Sequence, residues 1–580
     1  MSTCYLSGMK RIKIWWNFFF RQHRLKTIIG LSILALCYWF CLPDPLFKDP
    51  TCMVLEARDG SLLGAKIAAD GQWRFPQVEA VPEKFAKALL VFEDKRFYRH
   101  PGVDLLALAR ATSQNIRQGR VVSGGSTISM QVIRMARKGK SRNIFQKLIE
   151  MVLATRLEIR HSKKEILALY ASHAPFGGNV VGLDAASWRY FGKKAETMSW
   201  SEAAALAVLP NSPALIHPGR NRQALMDKRN RVLELLRKEE IIDQIAFELA
   251  LQEPLPDKPH ALPRLAPHLL DRAFSENFSP EKAEKTSIRT TLDPVLQSQI
   301  LSVAQRKSQI FKANGINNLA ILVLEVETGN VLAYIGNAPQ AGQENGEEVD
   351  VITSPRSTGS ILKPLLYVSM LNEGQTLPNS LWADIPMHFN GYRPENSMRT
   401  FDGLVTARKS VIRSLNVPFV RMLQQYGVEK FHFQLKKLGF TTLNKPPSHY
   451  GLALILGGAE GSLWEITNSY ACLSRILTHF YPNNGRYLPD DIRPANYLLN
   501  QKSSETGNKN LLSKPPVLGA DAIWLALDAM REVERPTSEG DWERFESSHL
   551  IAWKTGTSFG FRDGWAIGVT SKYAVGVWVG

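Results

Sequence analysis

The chain has 580 residues, of which 44% are hydrophobic, 9% aromatic and 22% charged, with 40 Gly and 32 Pro. That balance excludes a mostly disordered chain, a collagen and a small disulfide scaffold, and at roughly 150 residues per domain the length allows three or four units. The formal charge is +17. Removing the six cations that precede the first acidic residue, Asp44, still leaves +11, which calls for an anionic partner: a membrane surface, nucleic acid or a phosphorylated substrate.

Those six cations (Lys10, Arg11, Lys13, Arg21, Arg24 and Lys26) sit before a 16-residue uncharged run, Thr27 to Leu42. The pattern predicts a cytoplasmic basic tail over 1–26 and a single-pass signal anchor over 27–43, with residues 44–580 on the far side of the membrane. A cleaved signal peptide is the alternative, although no small-residue cleavage site stands around Phe40-Cys41-Leu42. The five cysteines show no spacing for zinc or a disulfide framework.

Residues 53–78 alternate around Asp59-Gly60 and Asp70-Gly71, which predicts a small hairpin unit. It opens a mainly helical domain, 44–250, whose best-marked helix starts at the capping box Ser199-Trp200-Ser201-Glu202 and ends at Pro210. A Pro-rich stretch, 251–285, reads as a linker. From 286 to 580 strand-like runs return, beginning with a buried hairpin at Leu319 and Val331 about the turn Thr328-Gly329-Asn330. The fold class is therefore multidomain α+β. No nucleic-acid motif accompanies the positive charge.

On a helical wheel of residues 85–99, Glu93 falls inside an apolar face, so a partly desolvated carboxylate suited to general-base work is expected there. A carboxylate neutralised by Lys95 or Arg96 at the margin of that face explains the wheel as well. Residues 144–159 make a second amphipathic helix with Ile144, Phe145, Leu148, Ile149, Val152 and Leu153 on one side. Lys147, Glu150 and Glu158 lie on the other, which reads as a solvated face. Between them Gly124-Gly125-Ser126-Thr127 suits a loop entering a helix, with Arg134, Arg142 and Lys147 spaced to converge on an anion.

These segments resemble successive motifs of the family 51 peptidoglycan glycosyltransferases: Glu93-Asp94-Lys95-Arg96-Phe97-Tyr98, the Gly-Gly-Ser-Thr stretch with Gln131, and Lys147-Leu-Ile-Glu150 with Leu157-Glu158. Lys164 to Tyr170 and Ser201 to Pro210 resemble the next two. Ser129-Met130-Gln131 and Ala174-Pro175-Phe176-Gly177-Gly178 are similar to the 1C type of class A penicillin-binding protein. The resemblance implies a lysozyme-like all-α domain that polymerises lipid II. Glu93 would be the general base, and Glu150 would assist departure of the pyrophosphate, directly or through a divalent metal such as Mg or Mn. Ser126, Gln131, Arg134, Arg142 and Lys147 would hold the pyrophosphate region.

Ser-x-x-Lys occurs three times, at Ser7/Lys10, Ser279/Lys282 and Ser360/Lys363. Only the last opens an apolar helix, because Pro364 is tolerated only in a first turn and so places the helix start near Ser360. An uncharged Lys363 one turn along can take a hydroxyl proton. Ser-x-Asn is likewise ambiguous, with Ser113/Asn115, Ser141/Asn143 and Ser275/Asn277 beside Ser414/Asn416. Lys554-Thr555-Gly556 occurs once, where chance predicts about 0.1 copies, and its glycine suits close approach of a ligand to a strand edge.

The order Ser360, Ser414, Lys554 resembles the penicillin-recognising serine acyltransferases, which pack an antiparallel sheet with helices in an α/β domain. That resemblance implies a D,D-transpeptidase and penicillin target. Ser360 would be the nucleophile, Lys363 its proton relay, Ser414 an assistant and Asn416 the residue that orients the peptide. Lys554, Thr555 and Gly556 would form the carboxylate-binding strand, and the amides of Ser360 and Thr557 the oxyanion hole. No cofactor is required for transpeptidation. The implied partners are lipid II and nascent glycan strands, stem peptides ending in D-Ala-D-Ala, β-lactams and the bacterial inner membrane. Relatives continue past Val575 to Gly580 with a helix on the sheet, so either a truncated chain or an uncovered apolar sheet face is expected. The alternative functional reading is a monofunctional glycosyltransferase with a non-catalytic penicillin-binding module; a lytic enzyme stands further off.

Overall fold

Capping side chains set where many of the helices begin. The computed structural model describes residues 24–119, 124–138, 143–211, 221–277, 286–388, 393–499, 511–533 and 550–580. The chain divides into two units, one formed by residues up to 53 with 66–262, the other by 54–65 with 263–580.

The first unit is helical. It contains α1 (Arg24–Phe40), α2 (Glu83–Glu93), α3 (Leu105–Gln118), α4 (Ile128–Ala136), α5 (Ile144–Arg160), α6 (Lys163–His173), α7 (Trp200–Val208) and α8 (Arg222–Lys238). Asp104, Thr127 and Asn143 cap α3, α4 and α5 by accepting amide hydrogens of their first turns. Ser162/Glu165 and the expected Ser199/Glu202 form capping boxes on α6 and α7. Phe85, Ala88 and Leu89 of α2 are buried, as are Ala203 to Val208 of α7 and Leu225, Val232, Leu233 and Leu236 of α8, giving the unit its core.

Two expectations change here. The helix carrying Glu93 ends at Glu93 instead of running to 99, because Asp94 leaves helical geometry to accept the Ile128 amide at 3.0 Å and face His100 at 3.1 Å. Phe97 stays buried in the short 3₁₀ turn that follows. Helix α5 is turned over. Glu150, Ala154, Arg156 and Leu157 are buried, while Ile144, Phe145, Leu148 and Val152 are exposed. The apolar side points outward, so the polar face is not the solvated one. Among the described residues no helix is long and apolar enough to cross a membrane. The α1 helix has 17 residues, with Ile28, Ile29, Leu31, Ile33, Leu34, Leu36, Trp39 and Phe40 exposed. Most of the basic tail lies outside the described residues.

The second unit is built on a five-stranded antiparallel sheet whose spatial order is 552–557, 564–569, 573–579, 319–325, 331–335. Its chain order begins with β1 (Met53–Glu56), β2 (Leu62–Lys66), β3 (Ser287–Arg289), α9 (Pro294–Lys312), and the expected hairpin β4 (Leu319–Glu325) and β5 (Val331–Ile335). Helices α10 (Lys363–Asn372), α11 (Asn416–Tyr426), α12 (Leu463–Phe480) and α13 (Ala520–Arg531) follow, then β6 (Ala552–Thr557), β7 (Gly564–Val569) and β8 (Tyr573–Val579). The alternating burial of β7 and β8 places Trp565, Ile567, Val569, Ala574 and Trp578 on the buried face. On the other side Val575, Val577 and Val579 are partly buried against a cluster that includes Ile321, Val323, Leu332 and Ile335, with Leu296, Ile300 and Leu301 of α9, so that face is not bare.

The expected hairpin unit 53–78 is divided between the two units. β1 and β2 pair as a hairpin, but β1 also takes β3 as a parallel neighbour, burying Leu55 and Leu63 in the second unit. Trp73 and Arg74 pair instead with Val180 and Val181 in the first. The Pro-rich stretch is also more than a linker. Residues Pro267–Asn277 are helical, with Leu269, Leu270, Ala273 and Phe274 buried. Proline at the first position of that helix costs no hydrogen bond.

Candidate active sites

In the first unit, α4 organises both glutamates. Gln131 and Arg134 are three residues apart and therefore neighbours on one helix face. Gln131 donates to Glu93 Oε2 at 2.8 Å, and Asn211 donates to Glu93 Oε1 at 3.2 Å. Lys95 and Arg96 are engaged elsewhere, with Glu239 and Asp104, so neither neutralises Glu93. Arg134 grips Glu150 through Nε at 3.0 Å and Nη2 at 2.7 Å, and its Nη2 also reaches Ser126 Oγ at 3.4 Å. This fork-to-carboxylate pair is directional and charge-assisted. Tyr170 is fully buried, and its hydroxyl has no hydrogen-bond partner among the described residues. Burial, reinforced by the charge of Glu93, pushes its phenol well above the usual range.

Lys147 is half-buried one turn before Glu150 on α5. Arg142 lies outside the described residues. Gly125 has a packing reason: a Cβ there would come within 2.9 Å of the Leu108 backbone, so the glycine admits α3 rather than a ligand. Among the described residues no three His, Cys, Asp or Glu side chains gather to hold a metal ion. With Glu150 paired to Arg134, this donor set does not fit a protein-held divalent cation.

In the second unit, Ser360 lies in the turn just before α10, which starts at Lys363 with Pro364 in its first turn. The turn packs tightly on the edge strand β6. A Cβ on Gly556 would meet Thr358 O at 2.9 Å, and one on Gly359, at φ +52°, would meet Thr557 O at 2.5 Å. Both glycines exist so that the Ser360 turn can lie against β6. Lys363 is fully buried and donates to Ser414 O at 2.8 Å and Asn416 Oδ1 at 2.6 Å. Lys554, also fully buried, donates to Ser414 Oγ at 2.7 Å and Thr555 O at 2.7 Å. Ser414 holds a left-handed φ of 54°, uncommon for a non-glycine residue. Thr555 and Thr557 are exposed along the same strand.

Electrostatics follow from that burial. Desolvation, and secondarily the charge of Lys554, holds Lys363 well below the ordinary lysine range. Desolvation brings Lys554 down to about 7. A neutral Lys363 amine has two N–H groups, both committed to Ser414 O and Asn416 Oδ1, which leaves its lone pair free to accept a proton. The structure thus brings Ser414, Asn416, Lys363 and Lys554 into one network. Of the competing pairs, Ser7/Lys10 and Ser279/Lys282 lie outside the described residues, as does Ser141.

Two domain families match the chain in this arrangement. Residues 61–237 match the transglycosylase family, and residues 319–580 match the penicillin-binding protein transpeptidase domain. The chain belongs to the class A penicillin-binding proteins. It is 34% identical over 93% of its length to penicillin-binding protein 1C of Escherichia coli (strain K12), and spans 66% of that relative's length. It is 26% identical to penicillin-binding protein 1A of Aquifex aeolicus, over 96% of this chain and 86% of that one. A solved structure of penicillin-binding protein 1A from Haemophilus influenzae is similar over 92% of this chain and 88% of that one, with 19% identity and a TM-score of 0.49. The transglycosylase match contains Glu93, Gln131, Glu150 and Asn211; the transpeptidase match contains Ser360, Lys363, Ser414, Asn416 and Lys554.

No local sequence pattern marks Asn211 or the hydroxyl of Tyr170. Asn211 directly follows Pro210, where the capped helix pattern ends, a position that reads as a loop. Tyr170 closes the Lys164 to Tyr170 stretch, but only the fold brings it within the influence of the Glu93 charge.

Proposed function

We propose that this class A penicillin-binding protein is a bifunctional peptidoglycan synthase. It polymerises lipid II in its first unit and cross-links stem peptides in its second. The observation that carries the reading is the pairing of two assembled networks: a Glu93 carboxylate oriented by two amide donors, and a fully buried lysine bonded to the Ser-x-Asn segment.

In the first reaction Glu93 takes the proton of the acceptor sugar's 4-hydroxyl as that oxygen attacks the donor's anomeric carbon. The C–O bond to the pyrophosphate breaks, and the leaving group departs with the electron pair. Arg134, aimed by Glu150 and in reach of Ser126, faces the charge that develops there, and Lys147 adds a second cation one turn before Glu150 on α5; fixed cations at such a point lower the barrier. In the second, Ser360 Oγ bonds to the carbonyl carbon of D-Ala-D-Ala while its proton passes to Lys363. The C–N bond breaks as Ser414 Oγ gives its proton to the departing amine and is reprotonated by the proton held on Lys363, which returns to its neutral form. An acceptor amine then bonds to the acyl carbon and gives up a proton to Lys363, while the C–O bond to Ser360 breaks and that oxygen takes the proton back. Lys554 and Thr555 hold the terminal carboxylate, and the amides of Ser360 and Thr557 the oxyanion.

The apolar residues exposed on α1 and α5 support a membrane-bound protein. Tyr38 bonds Thr155 at 3.0 Å, and Arg156 lies 4.4 Å from the ring centroid of Trp39, so the end of α1 is docked on the helix that carries Glu150. A single-pass anchor in the bacterial inner membrane, N-terminus cytoplasmic, fits this geometry. A reporter fused after residue 60 should then be active only on the far side of the membrane; activity in the cytoplasm would reverse the topology.

The function is tested by giving the purified chain lipid II and, separately, a labelled penicillin. Glycan polymer and stoichiometric label are expected. Polymer without label would favour the monofunctional reading, and neither would overturn the proposal. A pH profile tests the lysine roles. The second-order rate of acylation reports the free enzyme. It should fall as pH rises through about 7, where Lys554 loses the charge that attracts the drug's carboxylate. A rate that keeps climbing above that pH would remove Lys554 from carboxylate binding.

A further inference from the structure

The Ser414–Asn416 segment does not hold itself in place. Ser414 is at positive φ, and the residue that precedes α11, Leu415, gives the helix no side-chain cap. The missing cap comes from a different part of the chain. Asn396 is 5% exposed, and its Oδ1 accepts the amide hydrogens of Asn416 at 2.9 Å and Val417 at 3.3 Å. Its Nδ2 donates to Thr400 O at 2.9 Å and to Asp384 Oδ1 at 2.8 Å. Asp384 is wholly buried, and its other oxygen accepts the Asp402 amide at 2.9 Å. Asn416 then accepts Lys363 Nζ at 2.6 Å and donates to Glu395 O at 2.7 Å. A continuous path therefore runs from Asp384 through Asn396 and Asn416 to the lysine beside Ser360.

We infer that Asn396, aligned by Asp384, is a positioning residue for acyl transfer, acting through Asn416 on Lys363. The inference rests on the acyltransferase reading of Ser360. The polarity of the path explains the residue types. Asn396 must accept from α11 on one side and donate on the other, which an amide does and a carboxylate does not. Asp384 must accept twice, once from a side chain and once from a backbone amide. If Asn416 loses its anchor, Lys363 loses the acceptor that fixes the direction of its lone pair. Displacements of this kind far from the reacting atoms reduce rates by up to about 100-fold.

The test uses the full chain and a labelled penicillin, with limiting acylation rate and apparent affinity measured separately. Asn396→Asp places two carboxylates side by side and should lower the limiting rate about 10- to 100-fold, with affinity within about threefold of wild type and lipid II polymerisation unchanged. The exchange Asp384→Asn with Asn396→Asp restores one donor facing one acceptor between the two side chains, but not the bond to Thr400 O, and should recover part of the lost rate. A merely structural role would lower the melting temperature without this selective rescue. Wild-type acylation in Asn396→Asp, or no recovery in the exchange variant, overturns the inference. Ser360→Ala, run alongside, distinguishes that failure from failure of the acyltransferase reading, because in the latter case the label survives loss of the serine.

Discussion

Glu93→Gln should reduce lipid II polymerisation between about 10²- and 10⁴-fold, the range general-base catalysis supplies, while labelled penicillin still acylates Ser360. The substitution is nearly isosteric and keeps one oxygen for Gln131 or Asn211, which bond the two carboxylate oxygens at 2.8 and 3.2 Å. What it removes is the capacity to accept the acceptor sugar's proton. Glu150→Gln should also be strongly impaired, for a different reason. Arg134 holds that carboxylate by two bonds, so the variant weakens the aim of the guanidinium and not a proton transfer. Raising the pH should therefore leave the Glu150→Gln defect in place. Polymerisation by Glu93→Gln within a few-fold of wild type would take Glu93 out of the base role.

The chemistry of this chain was more legible in its sequence than the geometry that carries it. Ser360, Lys363, Ser414, Asn416 and Lys554 could be chosen because Pro364 marks a helix start and Lys-Thr-Gly is rare by chance. Both are local signals, and both survive folding. The hydrophobic pattern of 144–159 was equally clear and still misled. Periodicity shows that a helix has two faces, but not which of them meets protein and which meets a surrounding apolar phase. A buried Glu150 beside exposed Ile144 and Phe145 reverses the usual assignment. Local periodicity puts Glu93 mid-helix for a related reason. The signal that ends the helix is Asp94 reaching the amide of Ile128, 34 residues away, which no local pattern records. Asn396 and Asp384 were invisible in the same way, since an isolated Asn or Asp in a loop carries no information until its partners are known.

The acyl-enzyme site gives the sharpest expectation. Ser360→Ala should abolish penicillin labelling and leave polymerisation intact. Lys363→Met should reduce the limiting acylation rate by about 10³-fold, within the range for loss of a general base, at nearly unchanged apparent affinity. The distinction matters because a conventional lysine, charged at neutral pH, could not accept a proton there. Lys363 can do so only because it is fully buried and shares its surroundings with Lys554, both of which oppose a second positive charge. Lys363→Arg is the informative companion. It places at this position a cation that can never be neutral, so it should be as inactive as Lys363→Met. If the arginine variant acylates well, charge rather than proton acceptance is what the position supplies, and the relay through Lys363 is wrong. If only the serine variant loses label, Ser360 must be activated by a group other than Lys363, and Lys554, bonded to Ser414 Oγ at 2.7 Å, is the nearest basic alternative in the network.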